Sequence, residues 1–146
     1  MSTPGQGSIL GSPIIYGKVD YGPTFGAVYR PVNQRRIVTV AGTDTIQPFD
    51  VFVFYRKAVG AAFNVQLPDC RLWMQQPYGG FDLVCKDSKG DSNTNPITFL
   101  PFGATQTING LNAAALAGSG GGWQLTSDFG TIIFSPLVDG SGWETL

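Results

Sequence analysis

The feature that most constrains this chain is a regular beat of short apolar runs, each cut off by turn residues. From Arg35 onward the runs are Arg36–Ala41, Asp50–Lys57, Ala61–Leu67, Leu72–Met74, Gly80–Lys86, Pro96–Phe102, Thr105–Ile108, Trp123–Thr126 and Gly130–Pro136. They favour Val, Ile, Thr, Phe and Tyr, side chains that fit a pleated and half-buried surface. Between them stand Gly42-Thr43-Asp44, the Pro68-Asp69 corner, Pro77-Tyr78-Gly79 and Lys89-Gly90, residues that supply turn conformations. Strands spaced at roughly 8–12 residues predict a mainly β chain, a single-domain β-sandwich or small barrel. Asp50–Lys57 is apolar on both faces, which suits a central strand or one packed against a partner.

The acids agree with this reading. Nearly all are Asp, with Glu144 the single Glu, and Asp favours turns and caps where Glu favours helices. One helix candidate remains, Leu111–Ala117, about two turns long, for which a short helix and an irregular strand are both open. The glycines at 118 and 120–122 read as a flexible hairpin tip. A phosphate loop would continue Gly-Lys-Ser/Thr, and Trp123 stands there instead.

A chain of 146 residues suffices for one domain that buries roughly 68–70% of its unfolded surface without metal or disulfide. Charged residues make up 13%, well below the usual quarter or so. Low charge with much Gly and aromatic content fits a β protein that buries surface against neighbours. The net charge is −1 and no basic stripe marks a nucleic-acid footprint. Arg35-Arg36 reads as a solvated strand start or as a salt bridge to a neighbouring chain.

Histidine is absent from the sequence, which removes the commonest general base and metal ligand and any Ser-His-Asp arrangement. Cys70 and Cys85 lack the C-x-x-C spacing of redox or zinc sites. Two buried free thiols are the favoured reading, with a cross-strand disulfide as the alternative. The N-terminus carries neither a basic nor an apolar leader segment, and the longest apolar run, Val51–Tyr55, falls far short of the ~20 residues that span a bilayer. The expectation is synthesis in a cytoplasm, with no membrane partner.

Residues 1–34 differ in texture from residues 35–146, the β-domain. Pro4, Pro13, Pro23 and Pro31, with glycines between them, preclude helix and break long strands. Yet Ile9, Leu10, Ile14, Ile15, Tyr16, Tyr21, Phe25 and Tyr29 are too apolar for a free linker. An extended N-terminal arm that lays these eight side chains into grooves of its own or a neighbouring subunit satisfies both facts. An irregular first strand or two of the same domain is the other reading.

Three constellations bear on chemistry. Asp87-Ser88-Lys89-Gly90-Asp91-Ser92-Asn93-Thr94-Asn95 has the alternating oxygens of a calcium loop, but Lys89 occupies a ligand position and no Glu closes it. A wide hairpin is favoured, turned at Lys89-Gly90, with Asp87 and Asn95 accepting from loose backbone N–H groups. Paired carboxylates would serve glycoside cleavage, yet nothing in the sequence sets two Asp residues together. Trp73, Tyr78, Phe81, Trp123 and Trp143 would stack on sugars if exposed, or anchor the core or an interface if buried.

The order T-D-T-I-Q-P-F-D (Thr43–Asp50), V-Q-L-P-D (Val65–Asp69), L-V-C-K-D-S-K-G (Leu83–Gly90), N-P-I-T-F (Asn95–Phe99), T-I-N-G (Thr107–Gly110), G-T-I-I-F (Gly130–Phe134) and a late Trp143 resembles a small β-rich structural domain. That domain belongs to virion proteins of tailed bacteriophages, namely head decoration, fibre and tail-appendage proteins. The resemblance covers residues 36 to 143; the glycine-rich insert at 118–122 and the arm at 1–34 lie outside its pattern. It implies no catalytic residues, no cofactor and no metal. It further implies a capsid decoration (cement) protein on the virion surface, a homotrimer at capsid threefold positions bound to the major capsid protein. A tail-fibre or spike module that binds host glycans is the alternative it carries.

Overall fold

The computed structural model describes residues 35–75, 80–117 and 120–146, together with the backbone of two short strands nearer the N-terminus. The chain divides into two units, Met1–Gln34 and Arg35–Leu146. In the first, β1 (Val19–Asp20) pairs antiparallel with β2 (Ala27–Val28). The arm expected over 1–34 and its anchors, from Ile9 to Tyr29, lie outside the described residues.

The second unit is mainly β. Its strands are β3 (Arg35–Val38), β4 (Thr43–Thr45), β5 (Phe52–Tyr55), β6 (Phe63–Gln66), β7 (Leu83–Asp87), β8 (Ile97–Leu100), β9 (Thr107–Ile108), β10 (Trp123–Leu125), β11 (Thr131–Pro136) and β12 (Gly142–Thr145), with one helical turn, α1 (Cys70–Trp73). Successive strands alternate between two sheets. β3, β5 and β7 run parallel in one, and β4, β6 and β8 run parallel in the other. The chain therefore winds as three coils, each placing one strand in each sheet. Its direction then reverses: β10 lies antiparallel to β8, and β11 antiparallel to β7. The result is a six-stranded sheet, β3-β5-β7-β11-β12-β9, and a four-stranded sheet, β10-β8-β6-β4. Neighbours in a sheet are thus a full coil apart in sequence, as in a solenoid.

Alternation along each strand points every second side chain into the space between the sheets. Val53, Tyr55, Leu83, Cys85, Ile132 and Phe134 enter from the six-stranded sheet, and Phe63, Val65, Ile97, Phe99 and Leu125 from the other; all are buried. Rings from the two sheets interlock, with Tyr55 and Phe63 centroids 5.6 Å apart and Phe99 and Phe134 4.8 Å apart. Each fully buried ring contributes roughly 2–3 kcal/mol of transfer free energy. β5 lies between β3 and β7, the central position its two apolar faces predict.

Several elements differ from the sequence reading, each for a tertiary reason. Leu72–Met74, expected as a strand, lies at the end of α1, because Asp69 caps the turn by accepting from the Arg71 N–H at 2.9 Å. The buried Gln106 side chain also accepts from Cys70 N–H at 2.9 Å, so the capped turn is fixed to the core. Thr43-Asp44, read as a turn, forms β4, since pairing with β6 outweighs weak local preference. Leu111–Ala117 is a run of turns in which Asn112 Oδ1 accepts from the Ala114 and Ala115 N–H groups. The late strand β12 lies in a stretch that the list of apolar runs omits. Gly142 is obligatory there, because a Cβ would meet the Thr107 main chain of the paired β9. The Asp87–Asn95 stretch is not a hairpin. It carries the chain from β7 in one sheet to β8 in the other.

Candidate functional site

Arg36 faces inward on β3, in register with the buried Val53 and Cys85. Asp44 takes the equivalent place on β4, in register with Val65 and Phe99. The first coil thus closes the end of the apolar core with charge. Arg36 Nη1 and Nη2 donate to Asp44 at 3.0 and 2.9 Å, and its Nε and Nη2 donate to Asp50 at 2.9–3.0 and 2.7 Å. Asp50 returns to this place through a turn with Pro48 and then Phe49, whose φ of 71° is a value usually left to Gly. Tyr55 Oη donates to Asp44 at 3.2 Å, and Gln47 N–H donates to Asp50 at 2.7 Å. Burial would lower the Arg36 pKa, but its bonds to Asp44 and Asp50 outweigh that and raise it. Arg36 is therefore neither a solvated strand start nor, in this fold, a bridge to another chain: its partners are within the same unit. The structure also brings together Asp44 and Asp50, whose places in the chain do not predict a pair, and a shared guanidinium holds them.

The loop after β7 is organised by Asp87, which is fully buried. Its oxygens accept from the backbone N–H groups of Lys89, Gly90, Asp91 and Ser92 at 2.9–3.1 Å. Burial alone would raise its pKa, but the hydrogen bonds from Gly90, Ser92 and Lys89 prevail and hold it below the usual carboxylate range. Asn95 departs from expectation: its amide donates to Asp91 Oδ2 at 3.2 Å and accepts no backbone N–H that we observe. The buried Lys57 ammonium lies 2.7 Å from Asp91 Oδ1 and donates to Asn95 O at 2.6 Å. Asp87 is committed to amides and Asp91 to Lys57, so both carboxylates of the stretch are engaged with the protein itself. No group of three or more His, Cys, Asp or Glu suited to a metal occurs among the described residues.

Of the five rings that would stack on sugars, the four described ones, Trp73, Phe81, Trp123 and Trp143, are none of them exposed. Trp73 and Trp143 are buried and pack edge to face at 5.8 Å, and Trp123 stands against Phe134. Trp73 Nε1 donates to Phe81 O at 2.7 Å. Phe81 is half-buried, and Tyr78 lies outside the described residues. Cys70 and Cys85 are buried free thiols. Cys70 Sγ donates to Gly142 O at 2.9 Å, while burial pushes the Cys85 thiol far up.

An apolar surface open to a partner lies on the outer face of the six-stranded sheet. Register aligns Arg35, Phe52, Val84 and Ile133 in one row and Ile37, Phe54, Lys86 and Thr131 in the next. Ile37 is 54% and Phe52 38% exposed, and Phe54, Val84 and Ile133 are half-buried. A shallow depression of about 290 Å³ opens between Phe52, Phe54, Val84 and Lys86. The Arg35 guanidinium sits 5.7 Å from the Phe52 ring centroid, a cation–π contact at the rim. Sequence reasoning found part of this surface, because the two-sided apolarity of Asp50–Lys57 signals it. The contributions of β3, β7 and β11 emerge only from register.

No protein-family model matches the chain, and no curated protein is significantly similar to it.

Proposed function

We propose that this protein is a structural part of a tailed-bacteriophage virion, a capsid decoration (cement) protein that binds and stabilises adjacent major capsid subunits. The observation that carries the reading is the apolar outer face of the six-stranded sheet, set on a frame whose Asp44, Asp50, Asp87 and Asp91 are all engaged internally. Such a surface works by contact. Apolar area removed from water contributes roughly 25 cal/mol per Å², and many copies on one shell add avidity that a single contact lacks. The motif order between Thr43 and Trp143 supports the same reading. The role is non-catalytic, without cofactor, nucleic acid or membrane. The apolar residues from Ile9 to Tyr29 would supply a second contact with a neighbour.

A partner strand adding to the sheet edges is disfavoured at the first coil. There the inward-pointing Arg36 and Asp44 are of the kind that blunt an open edge. Contact with neighbouring chains on the shell is therefore assigned to the face.

The test is an image reconstruction of intact particles in which this chain is located. Many copies at regular positions on the shell, with Phe52 and Phe54 covered by another chain, is the expected result. A few copies at a tail tip would overturn the decoration role. Binding of the purified chain to a glycan array would favour the fibre alternative, which lacks support from Trp73, Phe81, Trp123 and Trp143, none of them exposed.

A further inference from the structure

The outward positions of the central strand β7 read Asp82, Val84, Lys86: an acid, an apolar residue and a base in line. Asp82 is exposed immediately before the strand, and Lys86 is half-buried with its ammonium donating to Phe129 O at 2.7 Å. Val84 lies in the row formed with Arg35, Phe52 and Ile133. We propose that this face binds a second copy of the same chain about a twofold axis passing across the strands at Val84.

A twofold interface sets the same patch against itself, so each feature must complement its own image. Rotation about an axis through Val84 reverses the strand direction and leaves the whole row of Arg35, Phe52, Val84 and Ile133 facing its own copy. Phe52, Val84 and Ile133 then meet apolar residues, while Arg35, on the edge strand β3 and over the Phe52 ring, meets its copy at the rim. The same rotation sets Lys86 over the copy's Asp82, and Asp82 over the copy's Lys86. Farther out, the exposed Arg56 extends the basic end of the face, and the exposed Glu144, opposite Ser135, extends the acidic end. In a pairing with the strands parallel Asp82 would meet Asp82 and Lys86 would meet Lys86, so these two residues select the antiparallel arrangement.

The size of the face sets the strength. Strands ~4.8 Å apart and same-face residues ~7 Å apart give a patch of about 20 by 20 Å over β3, β5, β7, β11 and β12. That is on the order of 400 Å² of flat projection per copy, about half of a standard interface's ~800 Å². Association in solution is therefore weak and concentration-dependent, and a particle that holds copies close together completes it.

This inference rests on the assembly role proposed above and names the neighbour that covers this face, a second copy of the chain on the same shell. Sedimentation velocity of the full chain, without any particle, tests it between about ten micromolar and about one millimolar, the range of small interfaces. The wild type is expected to move from monomer toward dimer. Asp82→Lys alone and Lys86→Asp alone each set like charges together and should weaken association at least tenfold. The double swap Asp82→Lys with Lys86→Asp restores complementarity and should restore the dimer. Circular dichroism melting of each variant separates this effect from misfolding. A wild type that stays monomeric throughout, single variants that associate like wild type, or a folded double swap that stays monomeric would each overturn the proposal. Shell binding by a chain that never self-associates would leave the decoration reading intact and sink this one; self-association without shell binding would do the reverse.

Discussion

Arg36 and Asp44 meet across the end of the core, Nη2 to Oδ2 at 2.9 Å, at inward positions that the next coil fills with Val53 and Val65. Asp50 binds the same nitrogen at 2.7 Å. An ion triad here replaces a layer of hydrocarbon, so its partners depend strongly on one another. Removing one member of a buried ion pair costs more than the pair contributes, since the survivor remains desolvated. The Arg36 side chain is 28% exposed, which moderates the effect. Arg36→Leu should destabilise the fold by about 2–3 kcal/mol. Arg36→Lys, which keeps the charge and loses the planar fork, should fall between. Urea unfolding would show a lower midpoint at unchanged slope; an unchanged midpoint for Arg36→Leu would refute the role of the triad.

Asp87 gives a pH-dependent prediction. Its folded pKa is depressed below the unfolded value, so its contribution is fully present above the unfolded pKa and disappears as pH falls through the folded pKa. Asp87→Asn should cost about 3 kcal/mol near neutrality, where a charged acceptor is lost to backbone donors. The gap between variant and wild type should then close toward strongly acidic pH, as the wild-type carboxyl gains its own proton. Paired urea titrations from neutral to acid pH measure this, and a gap independent of pH would contradict the assignment.

Gly142→Ala tests close approach at the β9–β12 pairing. The added methyl would meet the main chain of Thr107, which cannot swing aside as a side chain can. The expected loss is about 3 kcal/mol or more. Hydrogen exchange should quicken at Asn109 N–H, which donates to Trp143 O at 2.8 Å. Wild-type protection at that amide in a folded variant would show that β12 shifts at little cost.

The thiols supply a chemical check. Burial raises the pKa of both Cys85 and Cys70, and the thiolate is the reactive species. Native protein should resist alkylation at neutral pH, and denatured protein should take up two equivalents, one for each free thiol. Rapid native labelling of Cys85, or a mass showing the two joined, would contradict the fold around β7.

How legible this was follows from what kind of signal each element carries. β5, β8 and β11 announce themselves by composition alone, because Phe52–Tyr55, Ile97–Leu100 and Thr131–Pro136 are β-branched and aromatic. β4 is polar and short; it exists because β6 offers it a parallel partner, information that no local window contains. α1 carries a local signal in Asp69, a capping residue ahead of the good helix formers Arg71 and Leu72, but Leu72 and Trp73 read equally well as strand. Arg36 was the least readable residue. A cation beside another at a strand start looks solvated until register turns it inward onto Asp44. The Asp87 turn was anticipated, whereas its function as a bridge between sheets was not, since a hairpin and a crossover share the same turn residues.

The winding of the chain has a consequence for its synthesis. In the first three coils no strand pairs with the one made just before it: β5 must find β3, β6 must find β4, and each waits for an intervening strand in the opposite sheet. Large loops close before any ladder bond rewards them, which slows folding. On a ribosome, β7 and β8 emerge well ahead of β11 and β10, the strands that cover them. The nascent chain therefore presents two parallel edges to its surroundings until its last third is made. A cell producing this protein in quantity would meet its greatest aggregation hazard in that interval.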